Sequence, residues 1–266
     1  MKRILYISIA MCINCVALSS QAPISGVVTY QSKHKMHDFS THDYSLLFKN
    51  GITEFSLQPH GNHNQDMHID ESEMVLTIDR SYPDSLYPYQ IIDTKSKVVY
   101  EGLPIRQFDQ GYFIHFVKDQ PELNWEIKNK FRRIGAYQCQ LARLHFRGRS
   151  YEAWFSLEIR VPYGPFKFFG LPGLILEIYD TKREVYFAAT SILLGHEEEF
   201  KKRPLHRLES SEFLSREEYY DLVEKSQQKD SDEFLQRLQS KLPRGVTMTV
   251  DSVEKGSDAI ELDHLK

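Results

Sequence analysis

The residue types best suited to bind a metal ion lie in one histidine-rich stretch of the N-terminal third of the chain. Its spacing is His60-Xaa2-His63-Xaa4-His68, and one methionine and two aspartates lie within or beside it. Imidazole, thioether and carboxylate groups together suit zinc or copper. The spacing is not that of a known closed site, and a polar stretch rich in His and Asn is also typical of a solvated loop. A zinc or copper site at His60, His63 and His68 is therefore one hypothesis, and an exposed loop is the other.

A nucleophile for hydrolysis is harder to find in this sequence. Neither a Gly-Xaa-Ser-Xaa-Gly elbow nor a His-Glu-Xaa2-His helix occurs. Cys139 and His145 are the one thiol and imidazole pair close in sequence, but on one strand they would lie about 20 Å apart at 3.3 Å per residue. We therefore expect no catalytic residues, and we interpret Cys139 as a small buried hydrophobic residue.

Charged and aromatic residues that could contact a polar ligand follow this cysteine. They are Arg149, Tyr151, Trp154, Glu158 and Lys167. Because side chains alternate across a strand, Arg149 and Tyr151 would share one face, and Trp154 and Glu158 the other. The alternative is structural: Glu158 would form an ion pair with a neighbouring arginine or lysine and so satisfy charges near the core.

A glycine- and proline-containing motif then leads into an apolar run. It consists of Gly170, Leu171, Pro172, Gly173, Leu174 and Ile175. Pro172 and Gly173 have the order expected of a type II turn, in which glycine supplies a positive φ. Phosphate-binding loops need more glycines and a following helix, whereas a strand is predicted here, so nucleotide binding is excluded. We interpret the motif as a turn and core strand that specify the fold.

Short apolar runs separated by turn residues predict that antiparallel strands position these residues. Asn50-Gly51 predicts one hairpin, and Arg147-Gly148-Arg149 lies at the tip of another between residues 136–146 and 150–159. Further strands are predicted at 26–30, 44–49, 52–57, 74–78, 89–92, 98–100, 112–116, 174–179 and 185–194. The 16 Phe and 15 Tyr residues also favour a sheet-rich core.

The predicted fold is mainly β: a strongly curved antiparallel sheet or half-open barrel with a C-terminal helix. Ser215 and Glu218 have the spacing of a capping box at the start of that helix, and Lys229–Asp232 is expected to interrupt it. We expect three regions in the chain. These are a signal peptide (1–22), an antiparallel β domain (23–195), and a charged connection, helix and tail packed on the same domain (196–266).

The first 22 residues have the order of a cleavable secretory signal. Lys2 and Arg3 precede an apolar stretch at 4–18, and small polar residues follow it. We expect a mature start between residues 20 and 23, no transmembrane span in the mature chain, and a location in the periplasm or at the outer-membrane periphery. Removal of Lys2 and Arg3 lowers the formal charge from −4 to −6, which disfavours nucleic acid and anionic membrane surfaces as partners.

The run Gly-Leu-Pro-Gly-Leu-Ile and its surroundings resemble the GLPGLI family. The resemblance covers about residues 134–190 and includes Phe146-Arg147-Gly148-Arg149, Ala153-Trp154-Phe155 and Lys167-Phe168. It implies an exported envelope protein of Gram-negative bacteria, from a family without an assigned biochemical activity.

These observations favour a non-enzymatic periplasmic or outer-membrane-associated binding or accessory protein. Its partner would be an outer-membrane transport system, or an apolar or peptide ligand on the concave face of the sheet. Two alternatives from other classes stay open: a zinc- or copper-binding envelope protein that uses the histidine-rich stretch, and an envelope hydrolase.

Overall fold

The computed structural model describes residues 25–34, 41–58, 67–70, 75–78, 88–107, 111–196 and 213–241. The predicted signal peptide, His60 and His63, most of the charged connection, and the C-terminal tail lie outside these residues. The domain boundaries and the cleavage site therefore stay predictions.

The described residues form thirteen strands and one helix. The strands are β1 (Gly26–His34), β2 (Thr41–Lys49), β3 (Ile52–Leu57), β4 (Met67–Asp70), β5 (Val75–Ile78), β6 (Tyr89–Asp93), β7 (Val98–Gln107), β8 (Gly111–Asp119), β9 (Glu126–Ile134), β10 (Tyr137–Phe146), β11 (Arg149–Ser156), β12 (Leu174–Asp180) and β13 (Val185–Leu194). The helix is α1 (Arg216–Lys241).

Eleven of these strands form one antiparallel sheet in the order β8-β7-β6-β3-β2-β1-β13-β12-β11-β10-β9. Neighbours in the sheet are mostly neighbours in the chain, with β4 and β5 set apart as a separate hairpin between β3 and β6. Pairing of β13 with β1 joins the two ends of this meander. The strands thus follow one another around a ring that stays open between β8 and β9, which confirms the predicted mainly antiparallel class.

Aromatic contacts show how strongly the sheet curls. Phe55 of β3 and Phe187 of β13 are separated by two intervening strands, yet their ring centroids lie 6.0 Å apart. In a flat sheet three strand spacings would put them about 14 Å apart. The sheet therefore bends around an inner face that carries the main core.

Two predicted hairpins have the same turn geometry, which Asn-Gly favours in the first and Gly148 favours at the second position of the other. Asn50 and Gly51 have φ values of 55° and 88°, and Arg147 and Gly148 have φ values of 46° and 81°. Two consecutive positive φ angles in a two-residue loop define a type I′ turn, whose twist matches that of the flanking strands. These turns fix the registers Lys49↔Ile52 and Phe146↔Arg149.

Residues 159–173, which we name the inner segment, cover the inner face of the ring. Their buried side chains belong to the same cluster as those of β1, β2, β10, β11 and β12; the segment contributes Ile159, Val161, Tyr163, Phe168 and Leu171. The Phe168 ring lies 4.7 Å from that of Tyr151 and 5.8 Å from that of Phe146. Hydrogen bonds from the backbone N–H of Leu174 to Ile159 O and of Ile175 to Tyr163 O tie the segment to β12.

The helix begins with the predicted capping box. The backbone N–H of Ser215 donates to Glu218 Oε2 at 2.7 Å, and the N–H of Glu218 donates to Ser215 Oγ at 3.2 Å. The expected interruption at Lys229–Asp232 is wrong, because the helix runs on to Lys241. A hydrogen bond from Gln228 Nε2 to Asp232 Oδ1 at 3.0 Å supports the helix across that stretch.

Two strands differ from the sequence-based prediction. Met67–Asp70, expected to be loop, pairs with Val75–Ile78 as a hairpin, so His68 lies on a strand. Glu126–Ile134 was not predicted as a strand, because its polar sequence lacks an alternating apolar pattern. In the described part of the chain, no helix has the length and apolar character that crossing a membrane requires.

Candidate functional site

The most unusual chemistry of the described residues is a charge cluster beneath the inner segment, built around Lys167. The Lys167 side chain is only 2% exposed, and its Nζ lies 2.7 Å from Glu101 Oε2 and 3.0 Å from Asp119 Oδ2. The ring of Phe166 lies 5.4 Å from the same ammonium group. A buried ammonium is costly unless carboxylates pair with it, and here two do.

Arg147 and Gln90 complete this cluster. One guanidinium nitrogen of Arg147 donates to both carboxylate oxygens of Asp119 at 2.7 Å, and Gln90 Nε2 donates to Glu101 Oε1 at 2.8 Å. Burial alone would raise the pKa of Asp119, but the positive charges of Lys167 and Arg147 outweigh it and lower that pKa. Among the described residues, two cations thus lie against two carboxylates in this cluster.

The cluster joins the two margins of the open ring. Glu101 and Asp119 lie on β7 and β8, whereas Arg147 lies in the turn between β10 and β11 on the other side of the opening. Lys167 of the inner segment connects to both carboxylates. Trp125, which directly precedes β9, also contacts the inner segment: its Nε1 donates to the Phe169 carbonyl at 2.8 Å. We interpret the cluster as a polar seam that holds the curled sheet and the inner segment together.

Arg149 belongs to a different buried network. Its Nη1 lies 2.9 Å from Asp180 Oδ2, and Glu184 is its second carboxylate partner. Asp180 Oδ1 accepts the backbone N–H groups of Glu184 at 2.7 Å and of Val185 at 2.9 Å. Arg149 therefore braces the turn between β12 and β13.

Trp154 lies on the outer face of the sheet in a third network. Its Nε1 donates to Tyr179 Oη at 3.2 Å, and Tyr179 Oη donates to Glu152 Oε2 at 3.1 Å. The Arg132 guanidinium lies 4.2 Å from the Trp154 ring centroid and 2.7 Å from Glu177 Oε1. Trp154 is buried beneath these cationic side chains, which contribute a cation–π contact.

Glu152 in this outer network is held in its charged form. Burial would raise its pKa, but hydrogen bonds from Arg143 and Tyr179 and the charge of Arg143 lower it. The Arg143 nitrogens lie 2.7 and 3.0 Å from Glu152 Oε1. The carboxylate is therefore committed to partners within the protein.

Cys139 is fully buried on β10, as expected. Burial raises the pKa of its thiol to about 11, and the nearby Arg132 only partly offsets this. His145 contacts Ser150, with Nδ1 3.3 Å from Oγ. These features suit a packing role for the thiol, since the nucleophilic form is the thiolate.

The Gly-Leu-Pro-Gly motif differs from the predicted turn in one respect. Gly173 does not have a positive φ, whereas Gly170 does, at 93°. A Cβ on Gly173 would lie 2.1 Å from the carbonyl oxygen of Ser156. Glycine is needed at 173 because two backbone segments approach closely, and not because of a type II turn. Leu171, Leu174 and Ile175 are buried in the core, as expected.

The predicted ligand contacts do not form one site. Tyr151 packs against Phe168 of the inner segment, and Lys167 of that segment binds Glu101 and Asp119. Trp154 lies on the opposite face of β11 from Tyr151, and Arg149 binds at the β12–β13 turn. Glu158 is exposed, and its Oε1 accepts the backbone N–H of Gln138 at 2.7 Å. The expected ion pair of Glu158 with a neighbouring cation is therefore wrong. Arg147 binds Asp119, Arg149 binds Asp180, and Lys167 binds Glu101 and Asp119. These carboxylates had not been identified as partners from the sequence.

Glu101 and Asp119 were missed in this way. Both lie just beyond the apolar runs predicted as strands, at 98–100 and 112–116, so no pattern in the sequence marked them as buried. Of the proposed metal ligands, His68 lies on β4, and His60 and His63 lie outside the described residues. Among the described residues, no group of three or more His, Cys, Asp or Glu side chains is arranged to hold a metal ion.

Comparisons with known proteins give a family of unknown function and a likeness of fold. Residues 147–177, which include the motif, match the family described as "Protein of unknown function (Porph_ging)". A comparison with curated proteins gave no match. One similar solved structure is described as "Structure of PNGF-II in P21 space group", with a TM-score of 0.50 and 15% identity over 77% of this chain. A second, "Structure of PNGF-II in C2 space group", has a TM-score of 0.47, 15% identity and the same 77% coverage.

This chain spans about a third of the length of those two structures, since it covers 34% and 33% of them. At 15% identity the likeness concerns the fold alone.

Proposed function

We propose that this chain is an exported envelope protein of the GLPGLI type that works by binding rather than by catalysis. Its location would be the periplasm or the outer-membrane periphery. The order of charged, apolar and small residues in 1–22 supports export. The match of residues 147–177 to an uncharacterised family that includes the motif is consistent with the GLPGLI type.

The observation that carries the binding proposal is the position of the motif. The inner segment and the start of β12 occupy the inner face of the ring, and Lys167, the cation of that segment, binds Glu101 and Asp119. The motif residues thus build the fold, and the inner face is occupied by the chain itself. This supports contact with a partner through an outer surface over carriage of an apolar ligand inside the sheet.

Export is tested by producing the full chain in a Gram-negative host and separating the cell fractions. We expect the chain in the periplasmic or outer-membrane fraction, with an N-terminus between residues 20 and 23. The matched control lacks residues 1–22 and should stay in the cytoplasm. A full-length chain held in the inner membrane by an intact leader would contradict the proposal.

Binding without catalysis is tested with the purified mature chain. We expect no turnover of model esters, peptides or glycosides above that of the same mixture without protein. Turnover by the native chain above that background would contradict the proposal and favour an envelope hydrolase.

A zinc- or copper-binding protein is the second proposal, carried by the spacing of His60, His63 and His68 and by the place of His68 on the β4–β5 hairpin. Calorimetry with zinc and copper ions should then give micromolar or tighter binding. Replacement of His60 and His63 by alanine should abolish it, whereas His145→Ala on β10 should not. Equal heats for all three proteins would end this proposal.

A further inference from the structure

The two margins of the ring differ in what covers them. At β8, Leu214 lies beside the strand: its N–H donates to Phe116 O at 2.8 Å, and the N–H of Lys118 donates to Leu214 O at 3.0 Å. At β9, the other margin, β10 is the one paired strand among the described residues. The β9–β10 register shifts between Gln140 and Ala142, so Lys128–Lys130 lie opposite Leu141 alone. On either side of this shift, hydrogen-bonded and non-hydrogen-bonded pairs alternate, so backbone groups of alternate β9 residues point away from β10. Among the described residues, no strand pairs with these outward groups.

The apolar side chains of β9 are unusually exposed. Ile127 is 47% exposed and Phe131 is 50% exposed. Ile127 pairs with Ala142, which is fully buried, so these exposed residues continue the inner face of the sheet at its margin. Edge strands of natural proteins usually avoid exposed apolar residues, because such edges attract other strands. An added strand would cover both side chains.

The charge of β9 indicates the kind of strand that would fit. The strand contains Lys128, Lys130, Arg132 and Arg133 but a single carboxylate, Glu126. Glu126 pairs with Lys128, and Glu177 of β12 pairs with Arg132, which leaves the strand with excess positive charge. A second copy of this chain would bring four cations against four, whereas an acidic segment would complement them.

We propose that β9 is a docking edge that adds an extended, acidic segment of a partner protein as a further antiparallel or parallel strand. This inference rests on the proposed binding function. Backbone hydrogen bonds supply affinity, and alternate side chains supply specificity. Apolar residues of the partner cover Ile127 and Phe131, and the acidic residues between them face the cations that border Trp154.

The probe is a fluorescent nine-residue peptide in which glutamate alternates with valine, and its matched control has lysine in place of glutamate. We expect the purified mature chain to bind the first peptide and not the second, with weaker binding at higher salt. Phe131→Glu should weaken binding about tenfold or more. The control variant is Leu193→Glu, which changes a side chain of similar exposure, 54%, on β13, where Leu193 pairs with Val27. It should bind as the native chain does.

Amide hydrogen exchange of the native chain locates the bound peptide without any substitution. We expect the outward amides of β9 to exchange quickly in the free protein and at least about tenfold more slowly with the glutamate peptide, and those of β13 to be unchanged. Slow exchange of β9 in the free protein at low concentration would mean that the chain covers this edge itself. Slow exchange that appears only at high protein concentration would mean that a second copy does.

Slow exchange of β9 in the free protein, at low or at high protein concentration, would overturn the inference. Equal binding of the two peptides, or no binding of either, would also overturn it. The export and turnover experiments do not involve β9, so their outcomes separate failure of this edge from failure of the proposed function.

Discussion

Single residues in this protein owe their roles to partners that are distant in sequence. The sequence marked Lys167 as a candidate contact for a polar ligand, or as a partner of Glu158 in an ion pair. Its carboxylate partners lie on β7 and β8, far along the chain, so no spacing rule connects them. A buried ion pair can be inferred from a sequence only when the topology that joins the two strands is already known.

Lys167→Met should strongly destabilise the fold. The change removes the ammonium that both buried carboxylates share and leaves Asp119 with Arg147, and breaking a buried pair costs about 3–5 kcal/mol. Urea unfolding followed by circular dichroism measures the loss. Lys182→Met, at an exposed position, is the matched control and should change stability by less than about 0.5 kcal/mol. Similar midpoints for the two variants would show that the cluster contributes little.

At the scale of elements, local turn chemistry was the most reliable signal. Asn50-Gly51 and Arg147-Gly148 both adopt the positive φ angles of type I′ turns, and the strands beside them were predicted closely. β9 was missed because an exposed edge strand has one buried neighbour and needs no apolar alternation. The expected break in α1 was wrong because polar residues within a helix can support it through i,i+4 contacts, such as Gln228 with Asp232.

The two outer glycines of the motif should differ in how far they tolerate a side chain. Gly173→Ala places a Cβ 2.1 Å from backbone oxygen, which neither segment can avoid without moving, so we expect a loss of more than about 3 kcal/mol. Gly170→Ala meets no atom within 4 Å and suffers only from its positive φ, at a cost of about 1–2 kcal/mol. Urea midpoints of the two variants test the order. A larger loss for Gly170→Ala would show that turn conformation matters more than the close approach.

For the whole molecule, the class of fold and its strong curvature followed from the sequence, but the pairing of strands that are distant in the chain did not. Consecutive antiparallel strands usually pair, so a meander could be predicted from the order of short apolar runs. Pairing of β1 with β13 and the opening between β8 and β9 depend on the total curl of the sheet. That curl arises from the packing of many inner side chains, and no local pattern encodes it. The charge cluster consequently depends on the curl that brings the two margins of the open ring together.

Acid should therefore weaken the ring through Asp119. Its pKa is lowered in the folded protein, so its contribution to stability is complete above the unfolded value of about 3.9 and is lost as the pH falls through the folded value. Urea midpoints from pH 7 to pH 3 should fall steeply below about pH 4 for the native chain. Asp119→Asn should be less stable at pH 7 but fall less steeply, so that the two curves converge in acid. Glu152 and His115 titrate in both proteins, so the difference between the curves reports on Asp119 and on Glu101, which shares Lys167 with it. Curves that stay parallel throughout would show that Asp119 does not stabilise the seam through its charge.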